Sequence, residues 1–355
     1  MVRILVGIVL AGLFAVPANG ARGHWVSAAP LPVPETSQVA VSLAGGDILL
    51  TGGEATEYGM PTRAAQLYQP ADGTWSLLHP MHHARIGHTA TTLPDGRVLV
   101  AGGLGDKLQP LRSAEIYSPA ANLWSYTPPL PATRFAQSAS LLPDGDVLVV
   151  GGIVGGSISA TTLIYDPAAN RWQPGPPTNY PHAQQDSLTL GDGRILIAGG
   201  YGGPPEIYDP ARGQWSVVGS PRFRSHPLLL LLGDGTALYT SGAGPRGHGV
   251  TSSLVFDPAD DRWRSTAAMN VRRNQPVGVE LGDGSVLVAG GSGPQGSMLR
   301  SAQIYDPMSR SWLAAGAMRQ ARAAAAGVLM TNGQVLVCGG SYYGAVLDSC
   351  EIYRP

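Results

Sequence analysis

The sequence predicts an all-β protein, a seven-bladed β-propeller with four antiparallel strands in each blade. Two observations carry that prediction. Each of the seven tryptophans lies 27 residues before a glycine that opens a Gly-Gly or near-equivalent step, in the pairs Trp25/Gly52, Trp75/Gly102, Trp124/Gly151, Trp172/Gly199, Trp215/Gly242, Trp263/Gly290 and Trp312/Gly339. The interval holds while the Trp-to-Trp period drifts between 43 and 50 residues, so one supersecondary unit is copied around the chain, as in a propeller or an array. In addition, 48 glycines and 30 prolines fit many short strands joined by tight turns, and only the first residues show sustained helical periodicity. A length of 355 residues, 44% of them apolar, would suggest two or three domains. The repeat argues instead for one closed domain over residues 21–355.

The first element stands outside the ring. Arg3, the apolar run Ile4 to Val16 and the small residues Ala18-Asn19-Gly20 read as a secretory signal peptide over residues 1–20, too short for a bilayer span. The mature chain is expected to begin near Ala21, to be secreted or periplasmic, to carry no transmembrane segment and to be a monomer. Both cysteines, Cys338 and Cys350, fall in the last repeat. A bridge between them would close 11 intervening residues and contribute roughly 3 kcal/mol in the chain-entropy model, in keeping with export. Two free thiols on neighbouring strands are the alternative.

Within a repeat the elements follow in order. The second copy reads Arg85 to Leu93, Pro94-Asp95-Gly96, Arg97 to Gly103, a loop, Ala114 to Pro119, then Trp124. The Asp-Gly step recurs at Asp95, Asp144, Asp192, Asp234 and Asp283, with Asn332-Gly333 in the last copy, and makes a hairpin of the first two runs because its turn needs positive φ. The third run ends in an aromatic residue (Tyr68, Tyr117, Tyr165, Tyr208, Phe256, Tyr305, Tyr353), and in six copies Trp follows seven residues later. The glycine pairs close the second run, where a neighbouring backbone or ring must approach. Truncating a buried repeat Trp to Ala should cost about 3–5 kcal/mol.

Phase shows how the ring closes. Trp25 has no preceding Tyr run, and Glu351-Ile352-Tyr353 has no following Trp. The N-terminal strand around Trp25 therefore completes the last blade, giving seven blades and no open edge. The Gly-Gly pair with a spaced Tyr and Trp, seven times in phase, resembles the kelch family over residues 22–355. That resemblance implies four antiparallel strands per blade of a propeller and says little about activity.

Strand alternation puts the Asp-Gly and Tyr-to-Trp turns on one face, and the loops after each Gly pair, with the crossings between blades, on the other. Only the loop after the Gly pair varies much in length, so function is expected on its face. Ten residues after each Trp, where the innermost strand should begin, the series reads Glu35, Arg85, Arg134, His182, Ser225, Arg273 and Arg322. Around an axis these side chains would raise a positive potential suited to a carboxylate or sulfate. Arg85, Arg134, His182, Arg273 and Arg322 are the candidate ligand residues; the competing reading is that each Arg anchors its loop through backbone carbonyls. Three residues on, Gln38, His88, Gln137 and Gln185 face Leu228, Pro276 and Ala325, so the pocket should be lopsided. Tyr58, Tyr201, Tyr342 and Tyr343 are candidates to stack on sugar rings.

The expected function is a binding or interaction module for a protein or a glycan, the glycan anionic. A formal net charge of −1 gives no reason to expect nucleic acid. No cofactor is expected, and no metal: His79, His82, His83 and His88 crowd one crossing without an acid or thiolate at matching spacing. An exported kelch propeller is also similar to bacterial N-acetylneuraminate epimerases, which implies an enzyme on an acidic sugar with Glu35 or His182 moving a proton. That family has six blades, and none of its longer motifs is present. A similarity to galactose oxidase, a seven-bladed copper enzyme, would require a cysteine cross-linked to a tyrosine plus histidine ligands.

Overall fold

The computed structural model describes residues 22–55, 59–219, 221 and 223–355. The expected signal peptide, the expected mature start Ala21 and Tyr58 lie outside them. Seven four-stranded antiparallel sheets form a ring. Their innermost strands, Val39–Ser42, Thr89–Thr92, Ser138–Leu141, Asp186–Thr189, Leu228–Leu231, Val277–Glu280 and Ala326–Leu329, neighbour one another in that order and return to the first. In the seventh blade the order from outside inward is His24–Ala28, Cys350–Arg354, Val335–Cys338, Ala326–Leu329. The chain's first strand pairs antiparallel with its last, from His24 opposite Arg354 to Ala28 opposite Cys350. Cys338 and Cys350 stand directly opposite and are joined by a disulfide, Cα atoms 4.2 Å apart.

The core lies between blades. Second strands such as Ile48–Thr51, Val98–Ala101 and Val147–Val150 are buried throughout, so their residues form near-continuous apolar runs. One cluster joins Leu43 and Leu49 of the first blade to Val98, Tyr117 and Trp124 of the second. Each repeat aromatic faces its Trp directly across the sheet, as in Tyr68 opposite Trp75 and Trp25 opposite Tyr353, with ring centroids 5.0 and 5.2 Å apart. Six indole N–H groups donate to a carbonyl of the preceding blade, as Trp124 does to His79 (2.8 Å) and Trp263 to Val218 (2.6 Å). The Trp172 indole N–H has no acceptor among the described residues. The tryptophans are less enclosed than the sequence suggested: only Trp25, Trp124 and Trp312 are buried.

One sequence expectation is met and one needs correction. At the hairpin, Gly96 N–H donates to Leu93 O, and of Asp95 and Gly96 only the glycine has positive φ. The first two strands are the expected hairpin, joined by a loop built on Pro94-Asp95-Gly96 in which Asp95 Oδ1 accepts from Arg97 N. In the fifth blade the residue equivalent to the first glycine is Ser241, not Gly242. Elsewhere this position is glycine because the next blade presses on it: at Gly52, with φ 55°, a Cβ would lie 2.5 Å from Arg85 O. Ser241 keeps the left-handed conformation at φ 60°, and its hydroxyl donates to Arg273 O at 3.0 Å.

Candidate functional site

The crossings between blades build the mouth of the axis. Where each crossing turns into the innermost strand, one residue is held left-handed: Ser37, Gly87, Ala136, Gln184, His226, Gln275 and Ala324. Six of the seven are not glycine, a conformation that persists only where its surroundings impose it. Part of that constraint is visible around the ring. Ala324 N donates to Gln275 O, Ser37 N to Ala324 O, Ala136 N to Gly87 O and Gln184 N to Ala136 O, all at 2.9–3.0 Å.

Inside this ring lies a cavity of about 600 Å³. Its wall is lopsided. Gln38, His88, Gln137 and Gln185 line the side formed by the first four blades; Pro227, Pro276 and Ala325 line the other. Each glutamine amide nitrogen is anchored on the preceding blade, Gln38 to Cys338 O, Gln137 to Ala101 O and Gln185 to Val150 O, at 2.8–3.0 Å. His88 Nε2 meets the Thr51 hydroxyl at 3.1 Å, and burial holds its pKa down at about 3, so its imidazole is neutral. The charged residues of the wall are Glu54 and Asp186. Asp186 opens the innermost strand of the fourth blade and accepts from Ser187 N and Leu229 N. Burial raises its pKa to about 6 and also raises that of Glu54.

The arginine ring lies behind this wall, not in it. Arg85, Arg134, Arg273 and Arg322 are at most 2% exposed and none lines the cavity. Each guanidinium turns into its own blade and clamps the loop between second and third strands. Arg85 Nη1 donates to Gly102 O (2.7 Å) and Ser113 O (3.0 Å), and Arg273 Nη1 to Gly290 O (2.7 Å) and Ser301 O (2.8 Å). Arg85 and Arg322 also meet buried carboxylates, Glu115 at 2.7 Å and Glu351 at 3.2 Å. Among the described residues Arg134 and Arg273 have no acid partner, and burial lowers both to a pKa of about 10. The expected positive field around the axis is thus corrected: these cations are spent on backbone carbonyls left over at the blade's loop.

The other two members follow the same plan with different chemistry. His182 is 0% exposed, and its Nε2 meets Glu206 at 2.9 Å. Glu35 is also fully buried, accepts from Gln66 Nε2 at 2.8 Å, and is pushed by burial to a pKa of about 8. Neither lines the cavity, so the proton-transfer role expected of them has no access to a substrate there. Sequence reasoning missed Arg224. The fifth crossing is one residue short, so the equivalent position is Arg224 rather than Ser225: its Nη1 reaches Ser241 O at 3.3 Å, and its guanidinium lies over the Tyr239 ring. The signal was the 17-residue step from each Arg to its acceptor, shared by Arg85/Gly102 and Arg224/Ser241. On the opposite face the turn aspartates are paired: Arg97 with Asp95, Arg194 with Asp192 and Asp261, and Arg264 with Asp260.

A family model described as the kelch motif matches residues 85–131 and 134–179, two consecutive repeats of a ring whose seven sheets share one topology. The chain is a kelch-repeat β-propeller. No curated protein matches this propeller. Among solved structures it is similar to a fungal alcohol oxidase of the AA5 family, described as catalytically diverse and solved in complex with copper. The identity is 18% and the TM-score 0.77, over 94% of this chain and 76% of that one. That likeness concerns the fold. Among the described residues of the kelch propeller no three His, Cys, Asp or Glu side chains group as metal ligands, and its two cysteines are bonded to each other. These residues do not fit a copper centre that needs histidine ligands and a cysteine joined to a tyrosine.

Proposed function

We propose that this kelch propeller is an interaction module that holds its ligand at the mouth of the axis. The observation that carries this reading is the cavity of about 600 Å³ lined by the crossings of all seven blades, a concave site on a rigid scaffold. The loops of the same face add contact surface. Met60, Leu108, Ile158, Tyr201, Tyr342 and Tyr343 are all exposed there, as an interface with a polypeptide or a sugar requires. The disulfide suits the secreted or periplasmic setting that the N-terminal signal suggests.

Protein-observed NMR with a chemically mixed fragment set tests the site. Hits should perturb the side-chain amides of Gln38, Gln137 and Gln185 and be lost in Ala136→Trp and Ala324→Trp, which place bulk at opposite sides of the mouth on positions already left-handed. Hits confined to the outer strands or the Asp-Gly face, and indifferent to both variants, would overturn the assignment.

A further inference from the structure

We propose that the axial cavity recognises a cationic nitrogen group, an alkylammonium or a guanidinium. This rests on the reading of the cavity as the ligand site and specifies the chemistry of its occupant. Three independent features of the wall agree. The charged residues lining it are Glu54 and Asp186, with no Lys or Arg among the lining residues, so ionised carboxylates make it negative and favour a cation.

The amides add acceptors. Gln38, Gln137 and Gln185 are more than nine-tenths buried, and their nitrogens are committed to Cys338 O, Ala101 O and Val150 O. That commitment fixes which end of each amide is which. The three Oε1 atoms have no partner among the described residues. Buried acceptors without donors are costly; these are shielded within the wall, and a group rich in N–H bonds and lacking acceptors is the occupant that would draw the amides toward it. Third, Phe135 is among the lining residues, and an aromatic ring turned to a ligand attracts a cation but not an anion.

Asp186 is set to take part. Its carboxylate is pinned by Ser187 N and Leu229 N, so it meets a ligand without first losing side-chain freedom. Burial currently works against its ionised form; an ammonium or guanidinium beside it reverses that. An anionic or purely neutral ligand would leave both carboxylates uncompensated.

Calorimetry and NMR titration on the full chain, at neutral pH and low salt, test the proposal with four probes: agmatine, the peptide acetyl-Gly-Arg-Gly-amide, methyl glucoside and glucuronate. Agmatine, the peptide or both should bind. Binding of agmatine alone marks a free amine as the source, and binding of the peptide marks an arginine carried by a polypeptide. Glu54→Gln and Asp186→Asn, checked by thermal melts for folding, should each weaken that binding about tenfold, while Asp257→Asn on the opposite face leaves it unchanged. Preferential binding of glucuronate or methyl glucoside at the glutamine amides overturns the cation assignment and leaves the cavity as a ligand site. Absence of any binding by either cation, or indifference to both carboxylate variants, also overturns it. The cavity reading itself fails separately, if Ala136→Trp and Ala324→Trp spare every ligand found.

Discussion

At the scale of the residue, the buried arginines show why a correct position in sequence gave a wrong role. Arg is rarely buried without partners, and the partners here are carbonyls and hydroxyls 17 and 28 residues ahead, which no local pattern reveals. Their positions were legible from the Trp spacing, apart from the shift at Arg224; their direction was not. Arg85 and Arg134 differ in one respect that mutation can read. Both clamp a loop, but only Arg85 faces a buried carboxylate, Glu115. Burial pushes Glu115 up, and Arg85 with the backbone of His82 pulls it further down. Arg85→Met leaves that carboxylate without its cation and should destabilise by about 3–5 kcal/mol. Arg134→Met loses only hydrogen bonds to Gly151 and Thr161 and should cost about 1–3 kcal/mol. Urea unfolding of the two variants checks the order; equal losses would mean that Glu115 contributes nothing to the difference.

At the scale of the element, each blade was legible because its pattern is local. A buried run, a turn rich in Gly and Asp, and an aromatic opposite a Trp lie within about one repeat, and the phase of Trp25 and Tyr353 located the closing strand. The loops between second and third strands were not legible. They form a short hairpin at Ile153–Val154 with Ser157–Ile158 and another at Ser341–Tyr342 with Ala345–Val346, each opening two residues after its first glycine (Gly151, Gly339), and single 3-10 turns at Asp106–Leu108 and Pro294–Gly296, each opening four residues after theirs (Gly102, Gly290); the offsets recur in pairs, but residue types there do not announce which turn forms. The disulfide belongs to this scale. It ties the second strand of the seventh blade to the third, 12 residues apart in sequence, so it restricts mainly the unfolded chain. Reduction, or a Cys338→Ser/Cys350→Ser double variant, should lower unfolding stability by about 3 kcal/mol and keep the blade paired in the native state. A change well under 1 kcal/mol in denaturant titration would show that the crosslink does not restrict the unfolded chain as that model requires.

At the scale of the whole molecule, the ring was legible and the sign of its mouth was not, because the cations of the crossings turn outward into the blades while Glu54 and Asp186, which no repeat position marks, reach the cavity. The same arrangement makes stability depend on pH through Glu35. Its folded pKa is raised to about 8 from 4.5, so below 4.5 both folded and unfolded chains carry it neutral. Between 4.5 and 8 the unfolded chain ionises first and the native state loses ground; above 8 the loss is complete. Glu35→Gln should therefore match the parent's melting temperature at pH 4, exceed it by several degrees at pH 8, and gain no more at pH 9. A difference independent of pH would assign the effect to packing. The seam of the ring has a mechanical side as well. Because His24 lies opposite Arg354 and Ala28 opposite Cys350, tension applied between the two ends of the propeller would fall on one residue pair of this strand pair at a time, from the His24 end inward. The hoop is built to resist spreading from within, where every blade shares the load, and to open like a zip when pulled by its ends.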